Sequence, residues 1–131
     1  MATLTPTLTL ASTDATSDTD MSFTVTGSLT VGQPHVGLSK TVAAADCGTA
    51  TVLVPSGSAN QYTYIKHTGY QADGTTATTN QLTIELGTDT DKLRLAAGEF
   101  CFFPAKSDVV VEVLSSSTHV ILLEYAYWTA A

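Results

Sequence analysis

The chain has 131 residues and a mass of 13.7 kDa, a length typical of one domain, and we predict a single β-sandwich domain over residues 1–131. Charged residues make up only 13% of the chain, against about 25% in average soluble proteins, and the formal net charge is −7. This balance argues against nucleic acid or an anionic membrane as a partner, because binding a phosphate-rich surface requires clustered Lys and Arg.

Threonine replaces much of the missing charge. The chain has two dozen threonines, several in strict alternation near the start. Threonine is β-branched and fits a pleated sheet better than a helix, so the composition predicts an all-β protein. With so few charges to keep a free surface soluble, we expect other protein chains to cover part of it; a secreted or simply charge-poor monomer is the alternative.

The N-terminal segment alternates apolar and polar residues. Leu4, Leu8 and Leu10 share one face and Pro6 lies among them, a pattern typical of an edge strand. We therefore predict that residues 1–10 form a strand or an arm that reaches another subunit. The polar stretch at 11–20 is predicted to be a loop. The first ten residues lack the features of a signal peptide, so we expect synthesis in the cytoplasm.

The middle of the chain contains further alternating segments separated by turn residues. We predict strands within 23–31, 36–42, 49–54, 62–67 and 81–86, turns at 31–35 and 55–58, and a long loop at 68–80. In 62–67, Tyr62, Tyr64 and Lys66 would occupy one face and Thr63, Ile65 and His67 the other. The segment TVAAADCG, at 41–48, is the one candidate for a helical turn or two.

The segment LRLAAGEFCFFP, at 93–104, is predicted to be an apolar hairpin around the turn AAGE. Phe100 and Phe102 would lie on one face and Cys101 and Phe103 on the other. Glu99 follows Gly98 in the turn, where its carboxylate could accept backbone amide hydrogen bonds.

The last two predicted strands, at 108–114 and 119–128, are apolar on both faces. Such a strand is either central in a covered sheet or packed on a neighbouring subunit. Altogether the chain predicts about eight to ten strands with regular turn signals, so we expect an all-β, jelly-roll-like β-sandwich. An up-and-down barrel is the alternative.

Residues capable of catalysis or metal binding are scattered. His35, His67 and His119 would have to converge from separate strands to hold a metal. Carboxylate pairs for glycoside cleavage could come from Glu85, Glu99, Glu112 and Glu124, and calcium ligands from Asp14, Asp18, Asp20, Asp89 and Asp91. Their spacing fits solvated loops and strand faces better, and PSGS at 55–58 lacks the elbow of a serine hydrolase. We therefore predict no enzyme, no cofactor and no metal.

The two cysteines, Cys47 and Cys101, are predicted to be buried free thiols, as is common in a reducing compartment. A disulfide between them is the alternative.

The aromatic residues near the C-terminus suit packing or an interface better than catalysis. Together with the N-terminal leucines they give our candidate interface residues: Leu4, Leu8, Leu10, Tyr125, Tyr127 and Trp128. A carbohydrate-binding module that stacks sugars on exposed aromatic rings is the alternative.

The second half of the chain resembles small virion proteins of tailed bacteriophages. The resemblance rests on the segments YIKHTG, LTIELG, LRLAAGEFCFFP, DVVVEV and VILLEYAYW, with His67 standing where the pattern has Asn. It implies a capsid decoration (cement) protein on the outside of the shell, or a tail or fibre adaptor, and it implies no catalytic residues. The partners we expect are the major capsid protein and further copies of the chain, which would form a homotrimer.

Overall fold

The computed structural model describes residues 1–13, 20–43, 50–116 and 118–131, without the side chains of 33–35 and 89–92. Several predictions therefore fall outside the described part of the chain. They concern Asp14, Asp18, Cys47, the side chains of His35, Asp89 and Asp91, and the segment 44–48 of the possible helical turns.

The described residues are all β, with eleven strands and no helix. The strands are β1 (Ala2–Leu4), β2 (Thr7–Ser12), β3 (Met21–Thr26), β4 (Leu29–Ala43), β5 (Thr51–Val54), β6 (Gln61–Gln71), β7 (Leu82–Leu86), β8 (Asp89–Leu95), β9 (Phe100–Ala105), β10 (Val111–Ser115) and β11 (Ile121–Ala130). They form a five-stranded sheet of order β1-β4-β11-β6-β9, a four-stranded sheet of order β5-β10-β7-β8, and the separate pair β2-β3.

The two larger sheets pack face to face around one hydrophobic core. Its fully buried members come from both sheets and include Ile65, Leu123, Ile84, Val111 and Val113. The predicted all-β sandwich is confirmed.

The strand order within the sandwich is regular. From β4 to β11 the chain crosses repeatedly from one sheet to the other, and β4 and β11 pair with each other. This order favours the jelly-roll-like assignment, which remains a prediction, over an up-and-down barrel, whose sequential strands pair with one another.

Strict alternation along β6 defines the two faces of the five-stranded sheet. Thr63, Ile65 and His67 are fully buried, whereas the intervening Tyr62 and Tyr64 are only partly buried. Successive side chains of a strand point to opposite sides, so the first set faces the second sheet and the other set lies on the opposite side. We call that side, formed by β4, β11, β6 and β9, the outer face. The predicted division of residues 62–67 into two faces is confirmed.

The segment 93–104 does not form the hairpin predicted from the sequence. β8 pairs with β7 in the four-stranded sheet, whereas β9 pairs with β6 in the five-stranded sheet, so the turn between them connects the two sheets. The turn changes direction at Gly98, whose φ is +84°, and its backbone bonds to β6: Gly98 N–H donates to the His67 carbonyl at 3.0 Å. Glu99 acts as expected, since its carboxylate accepts the Ala96 N–H at 2.6 Å.

The turn predicted at 31–35 is wrong as well, because β4 runs through it without a break. Pro34 lacks an N–H, but β1 pairs only as far as Val31, so one side of β4 has no partner strand at this position in the described part of the chain. The β4–β11 register also shifts around Tyr127 and Trp128, which accommodates the proline in an irregular part of the ladder. The predicted loop at 68–80 likewise begins as strand, since β6 continues to Gln71.

Candidate functional site

The most distinctive feature of the molecule is a two-stranded hairpin, β2 and β3, which we call the arm. It continues the pairing of β1 with β4: Leu4 pairs with Leu29, Thr7 pairs with Thr26, and the register is the same on both sides of Pro6. Between the two ladders, Gly27 N–H donates to the Pro6 carbonyl at 2.9 Å. The arm is therefore a direct extension of a ribbon that belongs to the five-stranded sheet.

The two faces of the arm differ in chemistry. On one face the cross-strand pairs are Leu8 with Val25 and Leu10 with Phe23, and all four residues are between 42% and 57% exposed. On the other face, Thr7 bonds Thr26 at 3.2 Å between hydroxyl oxygens, and Thr9 bonds Thr24 at 3.0 Å. An isolated two-stranded hairpin is only marginally stable in water, and this one leaves its apolar face uncovered.

A groove of about 550 Å³ lies where the arm joins the body, and we call it the apolar groove. Its walls include residues of the arm and of the outer face, among them Leu8, Val25, Tyr62, Phe100, Phe102 and Pro104. Phe100 is 60% exposed and Phe102 38%. The Tyr62 and Phe102 rings are stacked, with centroids 6.3 Å apart and planes inclined by 10°. The groove is lined mainly by apolar groups, and it is open enough to admit large side chains.

A row of charges crosses the outer face beside the groove. Glu124 on β11 pairs in register with Lys40 on β4 and with Lys66 on β6, and Lys66 is opposite Phe100 on β9. The Lys40 Nζ is 3.9 Å from a Glu124 carboxylate oxygen. Burial, and then the charge of Glu124, raise the pKa of the neighbouring Tyr64. Two cations flanking one carboxylate give this row a net positive charge in an otherwise acidic protein.

The six candidate interface residues do not form one patch. Leu8 and Leu10 are exposed on the arm, and Leu4 is half-buried in β1. Trp128 is half-buried on the outer face beside Tyr62. Tyr127 is only 7% exposed and belongs to the core, against which Tyr125 packs, because these two positions of β11 face the second sheet.

Several residues of this surface were not among the sequence-based candidates. They are Phe23 and Val25 on the arm and Phe100 and Phe102 in the groove. The signal for the arm was present, since Phe23 and Val25 alternate with polar residues in the same way as Leu8 and Leu10. What the sequence did not show is that these two segments pair with each other.

The histidines form no common site within the described part of the chain. His67 is fully buried: its Nδ1 accepts the Gly69 N–H at 2.9 Å, so the ring proton is on Nε2, which donates to the Asn80 carbonyl at 2.9 Å. Nearby, the buried Ser115 hydroxyl donates to the His119 carbonyl at 2.6 Å. Because this serine bonds a backbone oxygen and not a histidine ring, the cluster joins strand ends and has no nucleophile–base pair.

The carboxylates are also dispersed. Glu85 and Glu112 pair across β7 and β10 in the four-stranded sheet, Glu99 is in the turn after β8, and Glu124 is between two lysines. Among the described residues, no group of three or more His, Cys, Asp or Glu side chains could hold a metal ion.

Two other groups are of chemical interest. Cys101 is a free thiol, and burial raises its pKa from 9.0 to about 11, which keeps it protonated at neutral pH.

At one end of the sandwich a cavity of about 300 Å³ is lined by residues 55–59, Gln61, Tyr127 and Thr129. The Gln61 Oε1 there has no hydrogen-bond partner among the described residues, so it can accept a hydrogen bond from a bound hydroxyl group.

Comparison with known protein families, with characterised proteins and with solved structures finds no significant match. The part of the chain that the structure describes contains no helix of the length and apolar character needed to span a membrane.

Proposed function

We propose that this protein is a structural component of a tailed-phage virion, a capsid decoration protein that binds the outside of the assembled shell and stabilises it. The observation that carries the proposal is the arm, an amphipathic ribbon whose apolar face is uncovered. A surface of this kind suits a protein that works by attaching to other proteins.

The segments that resemble phage virion proteins support this proposal through their positions. They fall on β6, β7, β8 to β9, β10 and β11, which supply most of the core and most of the outer face. A rigid sandwich of this kind can carry attachment surfaces at its edges without rearranging. The net charge of −7 also fits a location outside a DNA-filled shell, where contact with the nucleic acid is unnecessary.

The stabilising mechanism would be mass action. A protein that binds the assembled lattice, but not its dissociated subunits, shifts the equilibrium toward the lattice by an amount that grows with its concentration. At a concentration 100 times the dissociation constant, the gain is about 2.7 kcal/mol per site. In this role the partners are the major capsid protein and further copies of this chain.

The test compares virions that carry the protein with virions whose gene for it has been deleted. We expect deleted virions to release their DNA at a lower temperature, measured with a dye that fluoresces on free DNA. Adding back purified protein should restore the release temperature and saturate with concentration, whereas another acidic protein of similar size should have no effect. Equal release temperatures for the two kinds of virion would rule out a cementing role.

A carbohydrate-binding module is a second candidate, favoured by the aromatic rings on the outer face. Trp128 and Tyr62 are cross-strand neighbours there, and Tyr62 stacks on Phe102. Flat rings of this kind can pack against sugars. Binding on a glycan array that disappears in Trp128→Ala, with an unchanged circular dichroism spectrum, would favour this candidate over decoration.

A further inference from the structure

The outer half of the arm lies beyond the apolar groove of its own chain. Leu8 and Val25 line the apolar groove of their own chain, whereas the next pair, Leu10 and Phe23, is not part of it. Leu10 is 42% exposed and Phe23 43% exposed. The groove, with a volume of about 550 Å³, is far larger than one side chain requires and remains open beside Phe100.

The charges of the two surfaces are complementary. The sequence contains no Lys or Arg before Lys40, and the exposed Asp20 immediately precedes β3 of the arm. The groove, in contrast, lies next to the net positive row of Lys40, Glu124 and Lys66. Because Lys66 is opposite Phe100, an arm whose Phe23 contacts Phe100 would bring Asp20 within reach of that lysine.

The dimensions of the two surfaces also match. Six residue pairs give the arm a length of about 17 Å, and the outer face from β9 to β4 spans about 14 Å, taking about 3.4 Å per residue and 4.8 Å per strand. An arm laid across this face could also cover Leu38 and Val42, which are 70% and 38% exposed on β4.

The available apolar area is sufficient for association. With about 150–250 Å² for a fully exposed large side chain, the arm face, Phe100, Phe102, Leu38 and Val42 together expose roughly 700 Å². Apolar groups form about 60% of a typical interface, and the smallest stable interfaces bury about 1,200 Å² in total. The two surfaces together therefore supply the apolar share of such an interface.

We propose that the arm of one copy docks on the outer face of a second copy, with Leu10 and Phe23 entering the second copy's apolar groove. The contact joins two different surfaces, so each copy can use both at once, and a closed ring forms where the rotation permits. This inference rests on the self-association that the proposed function includes, and it specifies the residues that would bring it about.

The first measurement is the mass of the purified full-length chain in solution, by light scattering coupled to size-exclusion chromatography over a range of concentrations. We expect a discrete oligomer that dissociates on dilution. A mass of 13.7 kDa at all concentrations up to the millimolar range would overturn the proposal.

A matched pair of variants tests the arm. Leu10→Asp places a charge on the apolar face, whereas Thr9→Asp places the same charge on the neighbouring residue of the threonine face. Both positions are exposed, so both variants should keep the circular dichroism spectrum of the wild type. We expect Leu10→Asp to be a monomer at concentrations where Thr9→Asp is fully associated. Association of both variants to the same degree would contradict the role of the apolar face.

A second pair tests the groove. Phe100→Asp alters a groove residue that is 60% exposed, and Val52→Asp makes the same kind of change at a residue 51% exposed on the other sheet. We expect only Phe100→Asp to prevent association. The deciding step is to mix Leu10→Asp, whose groove is intact, with Phe100→Asp, whose arm is intact. The proposal requires a complex with one copy of each, and two separate monomers in the mixture would refute it.

Charge reversal at the edge of the groove gives an independent measurement. Lys66→Glu should weaken association several-fold at low salt, and the difference should shrink at high salt as the charges are screened. Lys106→Glu, at an exposed lysine elsewhere, should associate like the wild type. Equal weakening by the two changes would exclude a specific contact at Lys66.

The outcomes separate this inference from the proposed function. A monomer that still raises the DNA release temperature of virions would overturn arm docking and leave decoration standing. A chain that associates through arm and groove, but leaves the release temperature unchanged, would support arm docking and remove decoration.

Discussion

His67 shows how a single residue holds several segments of this sandwich together. Its ring accepts a hydrogen bond from Gly69 and donates one to Asn80, so it connects β6 to the chain entering β7. The virion proteins that the second half of the chain resembles have Asn in the corresponding place of their pattern. An asparagine side chain can accept the Gly69 N–H, but it is too short to make the second hydrogen bond as well, which explains why histidine is suited to this fold.

We expect His67→Asn to lower the free energy of unfolding by about 2–4 kcal/mol, because it leaves the Asn80 carbonyl without its donor and creates a small cavity. Urea unfolding monitored by circular dichroism measures the change. His119→Asn is the matched control: the His119 ring is exposed, and the hydrogen bonds to His119 from described side chains reach its backbone carbonyl, so the stability should stay within about 0.5 kcal/mol of the wild type. Equal losses in the two variants would refute a specific role for the His67 ring.

Cys101 should be an unreactive thiol. Its pKa of about 11 is two units above the ordinary 9.0, so at pH 8 the thiolate is about 100-fold scarcer than in the unfolded chain. In a Cys47→Ser background, we expect iodoacetamide to modify the folded protein about 100-fold more slowly than the urea-unfolded protein, with the rate rising up to about pH 11.

The same pKa difference affects stability. The folded state holds the Cys101 thiol proton more tightly than the unfolded state. The contribution of this thiol to the free energy of unfolding is therefore fully present below pH 9 and is lost as the pH rises to about 11. Modification of the folded chain at the rate of the unfolded chain at pH 8 would contradict the burial of this thiol.

At the scale of the elements, alternation predicted most strands, because one buried face imposes a period of two on the sequence. It could not predict their partners. In the segment 93–104 both predicted strands are present, but they belong to different sheets. Leu95 of β8 enters the core from the four-stranded sheet and Ala105 of β9 enters it from the five-stranded sheet. At Pro34 the sequence predicted a turn where the structure has a strand. A proline is tolerated inside β4 at this position because β1, its neighbour in the sheet, has already ended.

Substitution of Gly98 tests the geometry of the turn that connects the two sheets. In Gly98→Ala the added Cβ has no neighbouring atom within 4 Å, but the alanine must adopt a φ of +84°. We therefore expect the free energy of unfolding to fall by about 1–2 kcal/mol from backbone strain alone. Gly37→Ala is the control, since it too meets no atom within 4 Å but lies in β4 without a positive φ, and it should be neutral or slightly stabilising. Thermal unfolding of both variants measures the difference, and a neutral Gly98→Ala would show that the turn has another geometry.

At the scale of the whole molecule, the body and the arm have different roles. The core draws its residues from β4 to β11 and none from β1, β2 or β3 within the described chain. The low charge of the sequence predicted that other protein chains cover part of the surface. The structure has two exposed apolar surfaces, the apolar face of the arm and the apolar groove. The sequence indicated part of the arm through Leu8 and Leu10, but it could not locate the groove, because the groove joins residues near positions 8, 25, 62 and 102.

Deleting residues 1–26 should therefore leave a folded sandwich. We expect a single cooperative unfolding transition and a loss of about 1–2 kcal/mol, because Val31 loses the cover of β1. Deleting residues 121–131 removes the central strand of the larger sheet, and that chain should not fold. Failure of the first deletion to fold would show that the ribbon is part of the folding unit.

The arm leaves the sandwich at the step between Pro6 and Gly27, where the Gly27 N–H donates to the Pro6 carbonyl. Since the register is the same on both sides of that step, we expect the arm to leave the body in one fixed direction. If copies join through it, every added copy turns by the same angle, and a turn of about 120° closes a ring of three. The number of subunits would then depend on the joint between residues 6 and 27, at the edge of the apolar groove, and extra residues inserted there would yield rings of mixed size or open filaments.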